Sequence, residues 1–296
     1  MQAAVTGKQG LLLGVALVVT ATVGWSLAGF FVRELPELTG WQINCWRGFF
    51  TAVWLGVFML ARYRGQAWSR VREVPLGALV SCAVFFALGS TLYVTALTLT
   101  ATANVSCIEA LAPFMTALLS RIFIGERAGL VASLAALGAV GGVALIMRDS
   151  MAGGHWLGNA FALLTALSFS LQTMMLRRYS GIDMVPAICL GGLMVLALAA
   201  TFGDGLAVPP RAIGILALMA LLQLAIPLAL FARGARYVPA VMLNLLALLD
   251  VVLNPFWAWL GTGERPPAAT YLGGSIILSA VAVSVVAQYR RTRGGG

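Results

Sequence analysis

The chain has 296 residues, 60% hydrophobic and only 10% charged, with a formal net charge of +9 and a mean hydropathy of +0.94. Soluble domains carry about 25% charged residues, so this composition excludes the ordinary globular classes. The apolar residues fall in ten blocks, 10–32, 40–61, 74–98, 103–123, 129–147, 155–177, 184–203, 211–235, 239–260 and 267–289, each about the twenty residues that a helix needs to cross a bilayer core.

The first block is too long for a signal-peptide core and lacks a small-x-small cleavage site, so it is expected to remain as a span. Trp25 sits mid-block and is a candidate for a cavity wall. Block 2 carries Asn44 and Arg47. Arg47 lies about seven residues, or ~10 Å, into its span. Tyr93 in block 3 is a second aromatic cavity candidate. Block 4 contains SCIEALAPF, with Glu109 about six residues, or ~9 Å, deep. A lone charge in hydrocarbon costs at least ~2.5–3.5 kcal/mol, so the two opposite charges at matched depth predict an Arg47–Glu109 ion pair, with substrate binding or proton coupling as the second reading. Pro113 has no N–H for the carbonyl of Glu109 four residues back, which predicts a bend at the glutamate and a hinge role.

In block 5 the glycines of GAVGG, 138–142, predict close contact with Gly273-Gly274 of block 10. Gln172 of block 6 reads as polar glue between helices or as cavity lining. So does Asn44, while Asn104 reads as polar glue. In block 8, QLAIP repeats the spacing seen at Glu109 and Pro113: Gln223 precedes Pro227 by four residues, making Gln223 a cavity candidate and Pro227 a second hinge candidate. Asp250 near the middle of block 9 is a functional candidate, for proton coupling among other roles, or a hydrogen-bond partner of Asn244, Asn254 or a neighbouring helix. Trp41, Trp156, Trp257 and Trp259 read as interfacial anchors, and His155 as interfacial. Cys45, Cys82, Cys107 and Cys189 read as packing residues, with no metal-ligand spacing. No zinc, haem or other cofactor is expected, and the absence of a P-loop argues against direct use of ATP.

The basic residues are distributed by side. Lys8, Arg62, Arg64, Arg70, Arg72, Arg121, Arg127, Arg177, Arg178, Arg233, Arg236, Arg290, Arg291 and Arg293 fall on one side. Only Arg33, Arg148, Arg211 and Arg265 fall on the other. This placement argues for the positive-inside rule rather than nucleic acid, and puts both termini in the cytoplasm.

The chain also repeats itself. Leu13, Gly14, Ala16, Ser26, Leu27 and Arg33 match Leu157, Gly158, Ala160, Ser170, Leu171 and Arg177 without a gap, 144 residues on. IGER at 124–127 matches TGER at 262–265, 138 residues on. Residues 1–150 and 151–296 are therefore expected to be two five-helix repeats of one integral membrane domain. An odd span count inverts the second repeat relative to the first, the plan of many secondary transporters.

The elements CWRGFF (45–50), EALAPFMTALLSRIFIGER (109–127) and LLDVVLNPFWAWLGTGER (248–265) resemble the drug/metabolite transporter superfamily, EamA type. Within it the chain is most similar to bacterial amino acid exporters of the YddG kind. Asp250-Val251 departs from the family pattern, with the proline displaced to Pro255. The resemblance implies an all-α membrane protein of ten helices in a bacterial inner membrane. It would be a secondary transporter, not an enzyme, exporting small metabolites such as aromatic or apolar amino acids by alternating access. Spans 1, 3, 4, 6, 8 and 9 would line the path. The expected partners are the substrate and the lipid bilayer, with oligomeric state open and a monomer possible. A drug or organic-cation exporter, drawing its cation to Glu109 and Asp250, is the competing reading. An intramembrane enzyme or a non-transporting scaffold is the reading from a different class.

Overall fold

The structure, a computed structural model, describes residues 8–112, 114–116, 118–119, 130–179, 182–203, 206–234, 237, 246–247 and 249–294. Among them every regular element is helical. The helices are α1 (Lys8–Trp25), α2 (Ala28–Arg33), α3 (Gly40–Tyr63), α4 (Ala67–Glu73), α5 (Leu76–Leu99), α6 (Thr102–Glu109), α7 (Leu130–Ala152), α8 (Trp156–Arg178), α9 (Val185–Phe202), α10 (Pro210–Met219), a π-helical stretch (Ala220–Ala225), α11 (Ile226–Gly234), α12 (Leu249–Thr262) and α13 (Ala268–Gly294).

Among the described residues five stretches are long and apolar enough to cross a membrane: Leu12–Arg33, Gly40–Tyr63, Leu76–Leu99, Val185–Phe202 and Pro210–Phe231. The blocks at 129–147, 155–177 and 267–289 fall on α7, α8 and α13, helices of 23, 23 and 27 residues. The blocks at 103–123 and 239–260 run partly outside the described residues, which also omit Pro113, Asn244 and the first GER.

Three irregularities shape the middle of the bundle. The first span breaks at Ser26-Leu27 into α1 and α2. The Ser26 hydroxyl bonds back to the Val23 carbonyl at 2.8 Å, and Leu27 N–H turns to Gly24 at 3.3 Å. Such local bonds compete with the helical ladder. The break exposes orphan N–H groups at the start of α2, and that of Gly29 donates to Asn254 Oδ1 at 2.9 Å. Helix α6 stops at Glu109, and a turn covers residues 110 and 111. The third is the π-helical stretch directly before Pro227. Pro227 has no N–H for the Gln223 carbonyl. The N–H of Ile226 reaches the Leu221 carbonyl five residues back, as a π-turn requires.

Small residues bring the helices together, as is usual in lipid. A Cβ on Gly48 of α3 would lie 2.8 Å from the Gly192 carbonyl of α9, and one on Gly24 of α1 would lie 2.5 Å from the Pro227 ring of α11. Gly89 of α5 faces Ser168 of α8, and Gly142 of α7 meets the Gly273 carbonyl of α13. The GAVGG stretch therefore makes its tightest contact with α13 at Gly142, with Gly138 facing Ala280. The exposed helix α4, not anticipated from hydropathy, buries no residue; it carries an Arg70–Glu73 pair at 2.8 Å and sets Arg72 over Trp68.

Candidate functional site: a buried arginine and a charged seam

Arg47 projects from α3 and is 2% exposed. Its Nε and Nη2 donate to Gln223 Oε1 at 3.2 and 2.9 Å, and its Nη1 donates to the Ser90 hydroxyl at 3.1 Å. The π-turn carries the Gln223 amide, and α3 is tied to the same span by Trp54 Nε1, which donates to the Ala217 carbonyl at 3.1 Å. The expected ion pair is not made: among the described residues no carboxylate lies within 4.0 Å of Arg47. The correction has a plain cause. Depth along the membrane normal matched Arg47 to Glu109, but packing of α3 against the π-turn put a neutral amide nearer.

Glu109, at the end of α6, is half-buried and accepts no hydrogen bond from a described residue. Asp250 is half-buried on α12, with Oδ1 enclosed and unpartnered. The expected bond from Asp250 to Asn254 is also absent. Asn254 Nδ2 donates to the Tyr93 hydroxyl at 3.0 Å and to Ser106 Oγ at 2.9 Å, while its Oδ1 serves Gly29. Asn254 thus joins α2, α5, α6 and α12. Tyr93 stands within electrostatic range of Arg47, Glu109 and Asp250, and Glu109 within range of Arg47 and Asp250. The structure brings these four candidates and Gln223 into one neighbourhood.

The other candidates are placed differently. Trp25 ends α1 at the break and packs on Phe231 at 4.9 Å between ring centres. Asn44 is fully buried and donates to the Thr91 carbonyl at 3.1 Å, and Gln172 meets the Cys82 thiol. Both act between helices. Trp257, expected as an interfacial anchor, is half-buried and donates to Ser26 Oγ at 3.0 Å. Among the described residues no three His, Cys, Asp or Glu side chains converge as a metal site.

Sequence reasoning did not foresee a second cluster, which closes the end of the bundle where α5 stops and α6 starts. Arg33, the last residue of α2, bonds Glu264 at 2.7 and 3.3 Å. Its other N–H groups donate to the carbonyls of Leu97 at 2.7 Å and Thr100 at 2.8 Å. Glu264 in turn accepts from the Thr102 N–H at 2.7 Å, an orphan donor of α6, and from the Thr102 hydroxyl at 2.9 Å. Burial disfavours the Glu264 carboxylate, but Arg33 and the two Thr102 bonds outweigh it and hold its pKa below the ordinary value. Arg33 and Glu264 had been noticed only as repeat anchors. The GER signature was the available signal, because it is a turn motif with a charge on it.

The EamA-like transporter family matches this chain twice, over residues 12–148 and 153–286. The chain belongs to that family. It is a multi-pass membrane protein of a transporter family whose members carry small molecules. A solved structure titled "Crystal structure of protein" is similar at 18% identity and a TM-score of 0.66, covering 92% of this chain and 97% of the other. That likeness concerns the fold alone. No curated protein matches the chain.

Proposed function

We propose that the protein exports a zwitterionic amino acid by alternating access, with Arg47 receiving the substrate carboxylate and Glu109 and Asp250 facing its ammonium group. The observation that carries this reading is Arg47 itself, a buried guanidinium whose bonds among the described residues all go to neutral groups. A buried cation without a counter-charge is costly, and an incoming carboxylate supplies one. Tyr93 provides apolar surface for an aromatic or aliphatic side chain. Pro227, behind the π-turn, is one hinge, and Pro113 is proposed as its counterpart.

Ten spans in two inverted repeats, 1–150 and 151–296, are part of the proposal. Its support is that contacts recur at the repeat spacing. Gly24 packs on Pro227 and Ser168 on Gly89; Ser168 stands 144 residues after Gly24, and Pro227 stands 138 after Gly89. Gly48 and Gly192, which touch each other, are 144 apart. Both termini are proposed to be cytoplasmic, in a bacterial inner membrane. A reporter at residue 126 should then be cytoplasmic and one at 264 external; labelling of both from one side overturns the inversion.

Glu109 and Asp250, whose carboxylates form no ion pair among the described residues, favour a second reading, an organic-cation exporter. Flux in proteoliposomes separates the two. Competition by apolar amino acids, lost in Arg47→Gln, supports the amino acid. Cation flux that survives Arg47→Gln, with no amino acid competing, replaces it.

A further inference from the structure

A cleft of about 640 Å³ lies away from Arg47, between α6, α12 and α13. Its floor is made of small side chains. Ala103 and Cys107 are buried there, and a Cβ on Gly274 would lie 2.6 Å from the Cys107 sulfur, so α13 presses directly on α6. Its rim is large and apolar: Phe256 and Trp259 on one side, Tyr271 on the other, are 41%, 48% and 64% exposed. Small residues below and aromatic residues above make a groove where a membrane helix ordinarily presents a convex surface.

The groove has a polar end. Arg265, exposed in the connection between α12 and α13, lines its mouth, and among the described residues it makes no ion pair. From Thr270 near the mouth to Leu278 at the far end is eight residues of α13, or ~12 Å at 1.5 Å per residue. A molecule that fits must join an anion at one end to an apolar chain of about that reach. Trp259 and Tyr271 near the cationic end stand as interfacial aromatics do, with an apolar body and a polar tip.

We infer that this cleft seats one phospholipid, its phosphate on Arg265 and one acyl chain along the floor between α6, α12 and α13. The lipid fills the seam where α6 of the first half meets α12 and α13 of the second. Arg265 directly follows Glu264, so the headgroup would be held beside the charged cluster on the same connection.

The test is native mass spectrometry of the intact, delipidated protein with three probes. Dioleoylphosphatidylglycerol has both parts, dioleoylglycerol lacks the phosphate, and glycerol 3-phosphate lacks the chains. The expected result is retention of one phosphatidylglycerol, about fivefold above dioleoylglycerol, the order of effect of one basic residue at an anionic headgroup. Glycerol 3-phosphate should not be retained. Arg265→Gln should fall to the dioleoylglycerol level, and Ser275→Trp, which fills the groove, should lower retention of both lipids. Arg148→Gln, a change of charge elsewhere, should leave retention unchanged. Retention that survives either Arg265→Gln or Ser275→Trp overturns the site, as does equal retention of dioleoylglycerol or of glycerol 3-phosphate.

Discussion

Arg33 and Arg47 are both drawn into the protein, and they are treated differently. Arg33, with 25% of its side chain exposed, meets a carboxylate and two backbone carbonyls. Arg47, more deeply buried, meets an amide and a hydroxyl. The first arrangement cancels charge and fastens α2, α5, α6 and the connection after α12. The second leaves net charge in a place where water cannot screen it, and so leaves an electrostatic demand. Charge is paired where the helices close and meets only neutral hydrogen-bond partners among the described residues at Arg47, the proposed site.

The largest effect should come from removing that demand. Arg47→Gln should reduce amino acid flux more than tenfold, on the order of a lost charge-assisted contact, while the melting temperature stays level or rises because an uncompensated buried charge has gone. Intact flux with a sharply lower melting temperature would recast Arg47 as purely structural.

At the seam the expectation reverses. Arg33→Gln and Glu264→Gln should each lower stability by about 1–3 kcal/mol, less than the roughly 3–5 kcal/mol of a fully buried pair because both side chains keep some exposure. The double substitution should cost less than the two together. Additive losses in denaturation would dissolve the contrast with Arg47.

Acid offers a milder way to open the seam. The folded pKa of Glu264 is depressed, so its contribution is fully present above the ordinary carboxylate value of about 4.3 and is lost as pH falls through the folded value. The stability difference between the wild type and Glu264→Gln should therefore hold at neutral pH and vanish on strong acidification. A difference that stays constant down to the lowest pH contradicts the assignment.

The smallest effect expected is a weak coupling. A double-mutant cycle of Arg47→Gln with Glu109→Gln should give a coupling below about 1 kcal/mol, since the two sense each other's charge but make no direct contact. A coupling well above that would restore the ion pair that the spans' depths had predicted.

Depth was legible in the sequence and azimuth was not, which explains most of what was missed. The long apolar stretches need only hydropathy to be found, so Gly40–Tyr63 and Leu76–Leu99 sit close to where the blocks placed them. Hydropathy gives the level of Arg47 in its span but not the neighbour it faces, and Gln223 took the place expected of Glu109. The break at Ser26-Leu27 leaves no mark, because serine and glycine are ordinary in membrane helices. The π-turn adds a residue without altering the apolar run. Asn254 was read only as a neighbour of Asp250, since the sequence could not show that a broken first span would present it with a free N–H.

The Gly48–Gly192 crossing has a consequence for movement. If the halves exchange shapes during a cycle, each contact is replaced by its counterpart: Gly24 on Pro227 trades roles with Ser168 on Gly89. A residue touching its own counterpart has nothing to trade with. Under the proposed inverted-repeat exchange, the crossing of α3 and α9 would lie on its axis and serve as the fulcrum. Close packing at that point depends on both residues lacking a side chain. An added methyl group at Gly48 would press on the Gly192 carbonyl at 2.8 Å and push the pivot open. Under that proposal the change would burden the inward-facing and outward-facing states alike, lowering stability without favouring either side.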